Sequence, residues 1–259
     1  FLIVNNISPQ WITQLSGVNV MLESVFFVNE NTGWIAADQG IILKTTNGGE
    51  NWLMQVSGVS TILENISFVN ENTGWVVGNF GVLINTSNGG LNWNLIDLGI
   101  SDYLLSIFFV NQNTGWISGN NGIVLKTTNG GTNWFIQNNG MTYFFSTVFF
   151  INENTGWVGG YCETLDGYSS KMLKTTNGGL NWNSISSGTP DIYSCIRFAN
   201  PDTGWVAGSY YSGGFTGNIL KTTNGGLNWI RKVLGTASGF GSVYFIDNNT
   251  GYAVGNNGH

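Results

Sequence analysis

A lysine, two threonines and a Gly-Gly pair stand together in LKTTNGGLNW at residues 173–182, and the same ten letters return at 220–229. Near copies occupy 43–52 and 125–134, with a looser one at 84–93. A cation, two hydroxyls and a glycine turn are the parts of an anion cradle. A phosphate loop, however, needs its glycines to open a helix and its Lys to follow them. Here Lys44, Lys126, Lys174 and Lys221 all precede the turn. A calcium loop needs carboxylates at alternating positions, and the residues common to the copies include none. The stretch therefore reads as scaffold. Asn47, Asn88, Asn129, Asn177 and Asn224 are expected to accept backbone N–H groups two or three residues on, while the glycines supply positive φ. Trp52, Trp93, Trp134, Trp182 and Trp229 close the copies, each ring packing across its sheet with the N–H left to reach a carbonyl.

Catalysis finds few parts. Glycoside hydrolysis needs two carboxyl groups about 5–10 Å apart. Glu23, Glu64, Glu153, Glu163 and Asp166 are available, although most side chains of this kind are simply solvated. The one histidine is His259, so a Ser-His-Asp arrangement cannot form. One His and two Cys also leave no zinc set. No catalytic residue, metal or cofactor is assigned.

Charge narrows the partners. Only 8% of the 259 residues are charged, the net charge is −6, and eight residues are basic. Nucleic-acid binding rests on clustered cations that displace counterions from phosphates, so nucleic acid is excluded. No apolar run approaches the ~20 residues of a membrane-spanning helix, and no membrane insertion is expected. The opening FLIV is too short for a signal-peptide core, and without an initiator Met the chain reads as a processed form. Four Asn-x-Ser/Thr sequons, at Asn6, Asn65, Asn85 and Asn248, are weak glycan candidates in a chain so rich in Asn.

The elements that must position these residues are repeats. A Gly-Trp pair recurs at Gly33-Trp34, Gly74-Trp75, Gly115-Trp116, Gly156-Trp157 and Gly204-Trp205, at spacings of 41, 41, 41 and 48 residues, and Gly251-Tyr252, 47 residues further on, is a sixth, altered copy. Within one unit, SVFFV, WIAA, IILKT and WLMQV are separated by the turns NENTG, DQG and TNGGEN. Short β-branched and aromatic runs punctuated by Asn-Gly turns are strands of antiparallel hairpins. Four strands per ~40–45 residues is the pattern of a propeller blade. The expectation is an all-β, six-bladed propeller of four-stranded blades occupying 1–259 as a single domain, with essentially no helix. Aligned on the tryptophans, 1–11 overlays 42–52, and the last residues overlay the first two strands of a unit. The ring is thus expected to close by strands at about 1–16 pairing with strands at about 242–255, hiding the terminal edges. An open solenoid is the alternative.

At these residues a family resemblance enters. TTNGGxNW is similar to the Asp-box, or BNR repeat, with Asn in place of the usual Asp. The larger unit resembles the repeat of propellers related to the photosystem II stability/assembly factor, over the whole chain. The resemblance implies a propeller without intrinsic catalysis, often secreted or surface-displayed in bacteria, that binds proteins or other polymers. An extracellular or bacterial cell-surface location follows as an expectation. The chain departs from that family in having six repeats rather than a seven-bladed ring, and two arginines rather than an arginine-rich patch. Asp-boxes also occur in sialidases, but that family grips its substrate with three arginines, and two cannot build the triad.

The repeats disagree at one place. Between their second and third strands, unit four inserts around 160–171 and unit five around 209–218. Loops there share a face with the blade-to-blade connections, opposite the NGG turns. The candidate ligand-binding face carries Tyr161, Glu163, Asp166, Tyr168, Tyr210, Tyr211 and Phe215, with Tyr103, Tyr143, Phe144 and Phe240 nearby. Such rings either stack on sugars and anchor peptides or pack their own long loops. Cys162 and Cys195 are expected on this face in adjacent blades, joined by a disulfide that pins the insert. The partner is expected to be a protein or polysaccharide; the alternative is a structural subunit of a larger assembly or filament.

Overall fold

The computed structural model describes residues 12–137, 140–165, 167–188, 191–211, 215–234, 239–245, 247 and 250–255. The first sheet runs β1 (Leu22–Phe27), β2 (Gly33–Ala37), β3 (Ile41–Thr45) and β4 (Leu53–Val56). The second runs β5 (Leu63–Phe68), β6 (Gly74–Gly78), β7 (Leu83–Thr86) and β8 (Asn94–Ile96). The third holds β9 (Leu104–Phe109), β10 (Gly115–Gly119), β11 (Val124–Thr127) and β12 (Phe135–Ile136). The fourth holds β13 (Phe144–Phe150), β14 (Gly156–Thr164), β15 (Gly167–Thr175) and β16 (Asn183–Ile185). The fifth holds β17 (Asp191–Phe198), β18 (Gly204–Tyr211), β19 (Phe215–Thr222) and β20 (Ile230–Leu234). A last hairpin, β21 (Phe240–Phe245) and β22 (Gly251–Gly255), completes the set.

Among the described residues these make five four-stranded antiparallel sheets, each in simple sequence order, and one two-stranded sheet. The architecture is all-β and blade-like, and among the described residues the helical content is limited to three-residue 3-10 turns. First strands lie side by side, β1 on β5, β5 on β9, β9 on β13, β13 on β17 and β17 on β21. The expected pairing of about 1–16 with about 242–255 falls largely on residues outside the described set. Its described part, residues 12–16, carries no strand, and β21 and β22 are paired with each other.

Aromatic stacking joins sheet to sheet. Trp34 lies face to face on Phe68 at 3.6 Å, and Trp75 on Phe109, Trp116 on Phe150, Trp157 on Phe198 and Trp205 on Phe245 repeat the contact at 3.5–3.7 Å. The tryptophan that closes the NGG turn meets the same Phe edge-on, as Trp93 does Phe68 at 6.0 Å. Each such pair adds about 0.5–1.5 kcal/mol beyond the area it buries. The same Phe explains the invariant glycine of the Gly-Trp pair: a Cβ on Gly33 would sit 2.7 Å from the ring of Phe27 across the ladder.

The NGG turn is built from its own polar side chains. Thr45 Oγ1 donates to Asn47 Oδ1 at 2.9 Å and accepts from Gly49 N at 2.9 Å, while Asn51 N donates to Asn47 Oδ1 at 3.0 Å. The pattern recurs at Asn88, Asn129, Asn177 and Asn224. The asparagine side chain therefore caps the N–H four residues on, not two or three, because Thr45 takes the N–H of Gly49 and the backbone carbonyl of Asn47 takes that of Glu50. Gly48 and Gly49 both hold positive φ, 70° and 92°.

Two expectations about this turn change. Of the closing tryptophans, Trp134 reaches a carbonyl, Gly131 O at 3.1 Å. The indole nitrogens of Trp93, Trp182 and Trp229 are buried without one, although all four rings meet their Phe edge-on. The lysine, moreover, serves the next sheet. Lys44 Nζ donates to Gly89 O at 3.0 Å, and Trp34 Nε1 and Gln55 Nε2 donate to the same oxygen at 3.3 and 3.1 Å. Lys174 holds Gly225 O at 2.9 Å and Trp116 holds Gly178 O at 3.3 Å. Each ammonium also lies over its own sheet's indole, Lys44 at 5.1 Å from Trp34, a cation–π contact. Burial lowers the pKa of Lys44, Lys126 and Lys174, with Glu71, Glu153 and Asp202 respectively opposing the shift.

Candidate functional site

The sheet connections and the turns between second and third strands meet at one end of the sheets. In the first three sheets that turn is a three-residue 3-10 element whose middle residue is left-handed: Gln39, Phe80 and Asn121 at φ 60°, 58° and 52°. Connections lie down on these turns, Gly81 N donating to Asp102 O and Gly122 N to Tyr143 O, both at 2.7 Å. Sheets four and five replace the turn. Their inserts are not loops but continuations of the ladder, Tyr161↔Ser170 through Thr164↔Gly167 in one and Ser209↔Gly217 through Tyr211↔Phe215 in the other. Backbone pairing makes each a stiff hairpin standing above the end of its sheet.

The fourth-sheet hairpin gathers an aromatic run. Tyr161 stacks on Phe144 with centroids 5.7 Å apart, and Tyr168 meets Tyr161 edge-on at 5.7 Å. Strand alternation puts Glu163, paired with Tyr168, on the same side of the hairpin as Tyr161. Phe144 is exposed, and Tyr161 and Tyr168 are half-buried. Burial, with Tyr168 and Glu163 adding to it, raises the pKa of Tyr161. A second pair stands on sheets two and three, where Phe80 meets Tyr103 edge-on at 5.4 Å. Phe80 is largely exposed in a left-handed conformation that an aromatic side chain rarely adopts. No residue pattern marks it in advance, since it fills a turn position otherwise held by Gln39 and Asn121.

Not every expected residue reaches this face. Phe240 is buried in the fifth core cluster beside Trp205 and Val243, because it begins β21 facing the neighbouring sheet. Tyr143 packs with Phe145 in the third cluster. Asp166 lies outside the described residues. Tyr210, Tyr211 and Phe215 are placed by backbone register at the tip of the second hairpin.

The cysteines do not join. Both thiols are free. Cys195 aligns in its first strand with Ser106 and Thr147, whose side chains link one sheet to the next: Ser106 Oγ accepts from Val148 N at 3.3 Å and Thr147 Oγ1 from Ile196 N at 3.2 Å. Its Sγ accordingly donates to Val243 O at 3.6 Å, towards sheet six and away from the hairpin that carries Cys162. Asn65 belongs to the same row. Its amide donates to Ser24 Oγ and accepts from Ile107 N, both at 3.1 Å, so this sequon is engaged in packing. Asn85 accepts from Asn94 Nδ2 at 3.4 Å, and Asn6 and Asn248 lie outside the described residues.

Three carboxyl groups converge near the first strands. A β-bulge falls at the matching place in each first strand, and a bulge re-aims the side chain it carries. In sheets one and two that residue is Glu23 and Glu64; in the others it is Leu105, Ser146, Ser194 and Gly241. Glu23 hydrogen-bonds Asp38, and burial first, then Asp38, raises its pKa. Burial, with Glu23 and Asp38 beside it, pushes Glu64 up to about 7. Glu64 is therefore not a solvated carboxylate but a group that holds its proton near neutrality, as a proton donor must. Its stability consequence has a definite sign. A carboxyl that binds its proton more tightly folded than unfolded stabilises the fold below the unfolded pKa, and that contribution is lost as pH rises through the folded value. Glu64→Gln is expected to match the parent near pH 4.5 and to exceed it at pH 8 by about 1–2 kcal/mol, after discounting for solvent reaching the side chain. Urea titrations at the two pH values check this; equal differences at both would remove Glu64 as the cause.

Known proteins can now be set beside this geometry. The family model of the photosynthesis system II assembly factor YCF48 matches residues 4–100, 53–137 and 91–190. No curated protein matches the chain. Among solved structures, YCF48 bound to D1 peptide is similar over 92% of this chain and 91% of its own, at 19% identity and a TM-score of 0.54. YCF48 from Cyanidioschyzon merolae is similar over 91% and 93%, at 17% identity and a TM-score of 0.62. The GH74 enzyme of Niastella koreensis is similar over 82% of this chain but only 38% of its own length, at 18% identity and a TM-score of 0.69. At these identities the structures share a fold. The family match also corrects the expected location: the matched family is that of a photosystem II assembly factor, not one of extracellular or cell-surface proteins.

Proposed function

The chain belongs to the photosynthesis system II assembly factor YCF48 family of β-propeller repeats, and from that premise we propose that it is a non-catalytic propeller that binds a segment of another protein. The reading takes residues 1–259 as one six-bladed ring whose hairpin-bearing face is the docking surface. The observation that carries it is the aromatic run Phe144–Tyr161–Tyr168 mounted on a paired hairpin. Rigid aromatic rings supply contact area at little entropic cost and dominate the energetics of such contacts. A relative in this family has been solved holding a peptide, which supports the same class of partner here.

A peptide array probed with the whole chain tests this, with the D1 peptide of the relative among its spots. Tyr161→Ala is expected to weaken the captured peptide by about 10–100-fold while leaving the circular dichroism unchanged. Capture indifferent to both Tyr161→Ala and Tyr168→Ala would overturn the assignment of this face. Retention on a glycan array instead would favour a polysaccharide partner, and polymers in light scattering a structural subunit. Glu64 favours a second reading, glycoside hydrolysis, because a protonated carboxyl beside two others is the make-up of a general acid and its partner. Turnover of soluble β-glucans that is lost in Glu64→Gln would establish it.

A further inference from the structure

The hairpins that rise above sheets four and five stand on neighbouring sheets, and strand alternation fixes what each turns toward the gap between them. In sheet four, Trp157 and Met172 pack with Val206 and Leu220 of sheet five. The β14–β15 ladder runs from those residues to its tip without a break in register. Tyr161, Glu163 and Tyr168 therefore leave the same side of sheet four as Trp157 and Met172, toward sheet five. In sheet five, Leu220 turns back into that shared core, and Asn218, two residues nearer the hairpin, turns the same way.

Asn218 breaks the pattern of its position. Its counterparts in the first three sheets are Ile41, Val82 and Ile123, each packed against an apolar cluster. Asn218 is 2% exposed, and neither its amide nitrogen nor its oxygen has a hydrogen-bond partner among the described residues. A buried carboxamide left in that state is costly. A ligand group that offers one acceptor and one donor relieves it, and a peptide group is such a pair.

The wall contributed by sheet four has a different character. Tyr161 and Tyr168 meet edge-on at 5.7 Å, with Phe144 stacked against Tyr161. Glu163 is exposed beside them, close enough to help raise the pKa of Tyr161. The chain's own cations are directed elsewhere. Lys171 leaves the opposite side of the hairpin with Leu173, which packs with Trp116 of sheet three. Lys44, Lys126, Lys174 and Lys221 rest over indoles toward the other end of the sheets. Arg197 lies over Phe149 and donates to Ile196 O, and Arg231 and Lys232 belong to the outer strand β20.

We propose that the partner's segment runs through this gap and is extended and basic: a lysine or arginine of it lies on Tyr161 and Tyr168 against Glu163, and one of its peptide groups bonds Asn218. The inference rests on the peptide-docking reading above and adds the chemistry of the partner. Tyrosine rings attract a cation through their quadrupole, and a carboxylate beside them adds a charge-assisted hydrogen bond. The carboxamide holds main chain whatever the sequence, so the carboxylate and the rings set the preference.

The probe is a randomised peptide array in three matched sets, with arginine, citrulline or glutamate at the central position, read with the whole chain. The arginine set is expected to hold the chain about tenfold more tightly than the citrulline set, and Glu163→Gln to erase that ratio. Glu163→Lys is expected to move the preference to the glutamate set. Asn218→Val restores the apolar character of the other sheets. It is expected to weaken all three sets alike by about tenfold, while its urea midpoint stays level or rises. Equal capture of the arginine and citrulline sets, or an arginine preference that survives Glu163→Gln, would overturn the basic partner and leave the peptide-docking reading standing. Undiminished capture by Asn218→Val, or a lowered urea midpoint, would make the amide structural and remove the main-chain contact. Capture of no set by the parent chain would overturn both readings.

Discussion

Trp116→Ala is expected to lower the unfolding free energy by about 3–5 kcal/mol, the range for deleting a large buried aromatic. Trp116 is fully buried, stacks on Phe150 at 3.5 Å with the rings 7° from parallel, and donates to Gly178 O at 3.3 Å. Lys126 rests over its other side at 5.2 Å from the centroid. Truncation empties the joint between the third and fourth sheets, leaves Gly178 O short of a donor, and removes the surface that carries the ammonium. Trp116→Phe keeps a ring on Phe150 and forfeits the indole N–H, so it is expected to cost less, about 1–2 kcal/mol. The check is the urea midpoint of both variants with the slope held constant. A loss under about 1 kcal/mol for the alanine variant would mean that the stack does not hold the joint.

The second large effect is a matched pair of glycine substitutions. Gly58 and Gly122 both lie in the left-handed region, at φ 80° and 74°. Around Gly58 a Cβ would meet nothing within 4 Å, whereas at Gly122 it would collide with the backbone oxygen of Met141. Gly58→Ala therefore carries the conformational penalty alone, about 1–2 kcal/mol. Gly122→Ala adds displacement of the connection that its N–H holds through Tyr143 O, and is expected to cost about 3 kcal/mol or more. Equal costs, measured by the same titration, would show that the connection yields freely and is not packed on the turn.

The strand order and the turns were legible from the chain because each signal is local. Alternating apolar runs, Asn-Gly punctuation and recurring tryptophans specify four strands per unit, and the five complete sheets follow that order. Relations between units were not legible. That Lys44 serves Gly89 rather than its own turn depends on the angle between sheets, and no residue spacing expresses that angle. Glu23 and Glu64 are 41 positions apart, and only the bulge in each first strand, together with the contact of β1 with β5, brings them to one place. Cys195 was misjudged for a related reason: its counterparts Ser106 and Thr147 in the preceding first strands bond forward to the next sheet, and the thiol points with them. The inserts were read as loops because Gly, Ser and Tyr carry weak strand signals, yet they extend an existing ladder, which supplies the pairing that their own propensities do not.

The lysine–indole clamp on the following NGG turn has a bearing on how such a chain can grow. Every clamp crosses a boundary in the same direction, so the donor and the acceptor of any one boundary lie in different repeats but at constant phase. Duplicating one repeat's length from a lysine-bearing unit, wherever the copy begins, reproduces one complete donor and one complete acceptor, and the new boundary is satisfied at once; the second unit, with Asn85 at the lysine position, lacks that donor. An insertion within the NGG turn or at its lysine would break two neighbours together. Between the second and third strands no clamp passes, and that is where units four and five have lengthened. Variation is thus channelled to one end of the sheets by the grammar of the joints, before any demand of a ligand is considered.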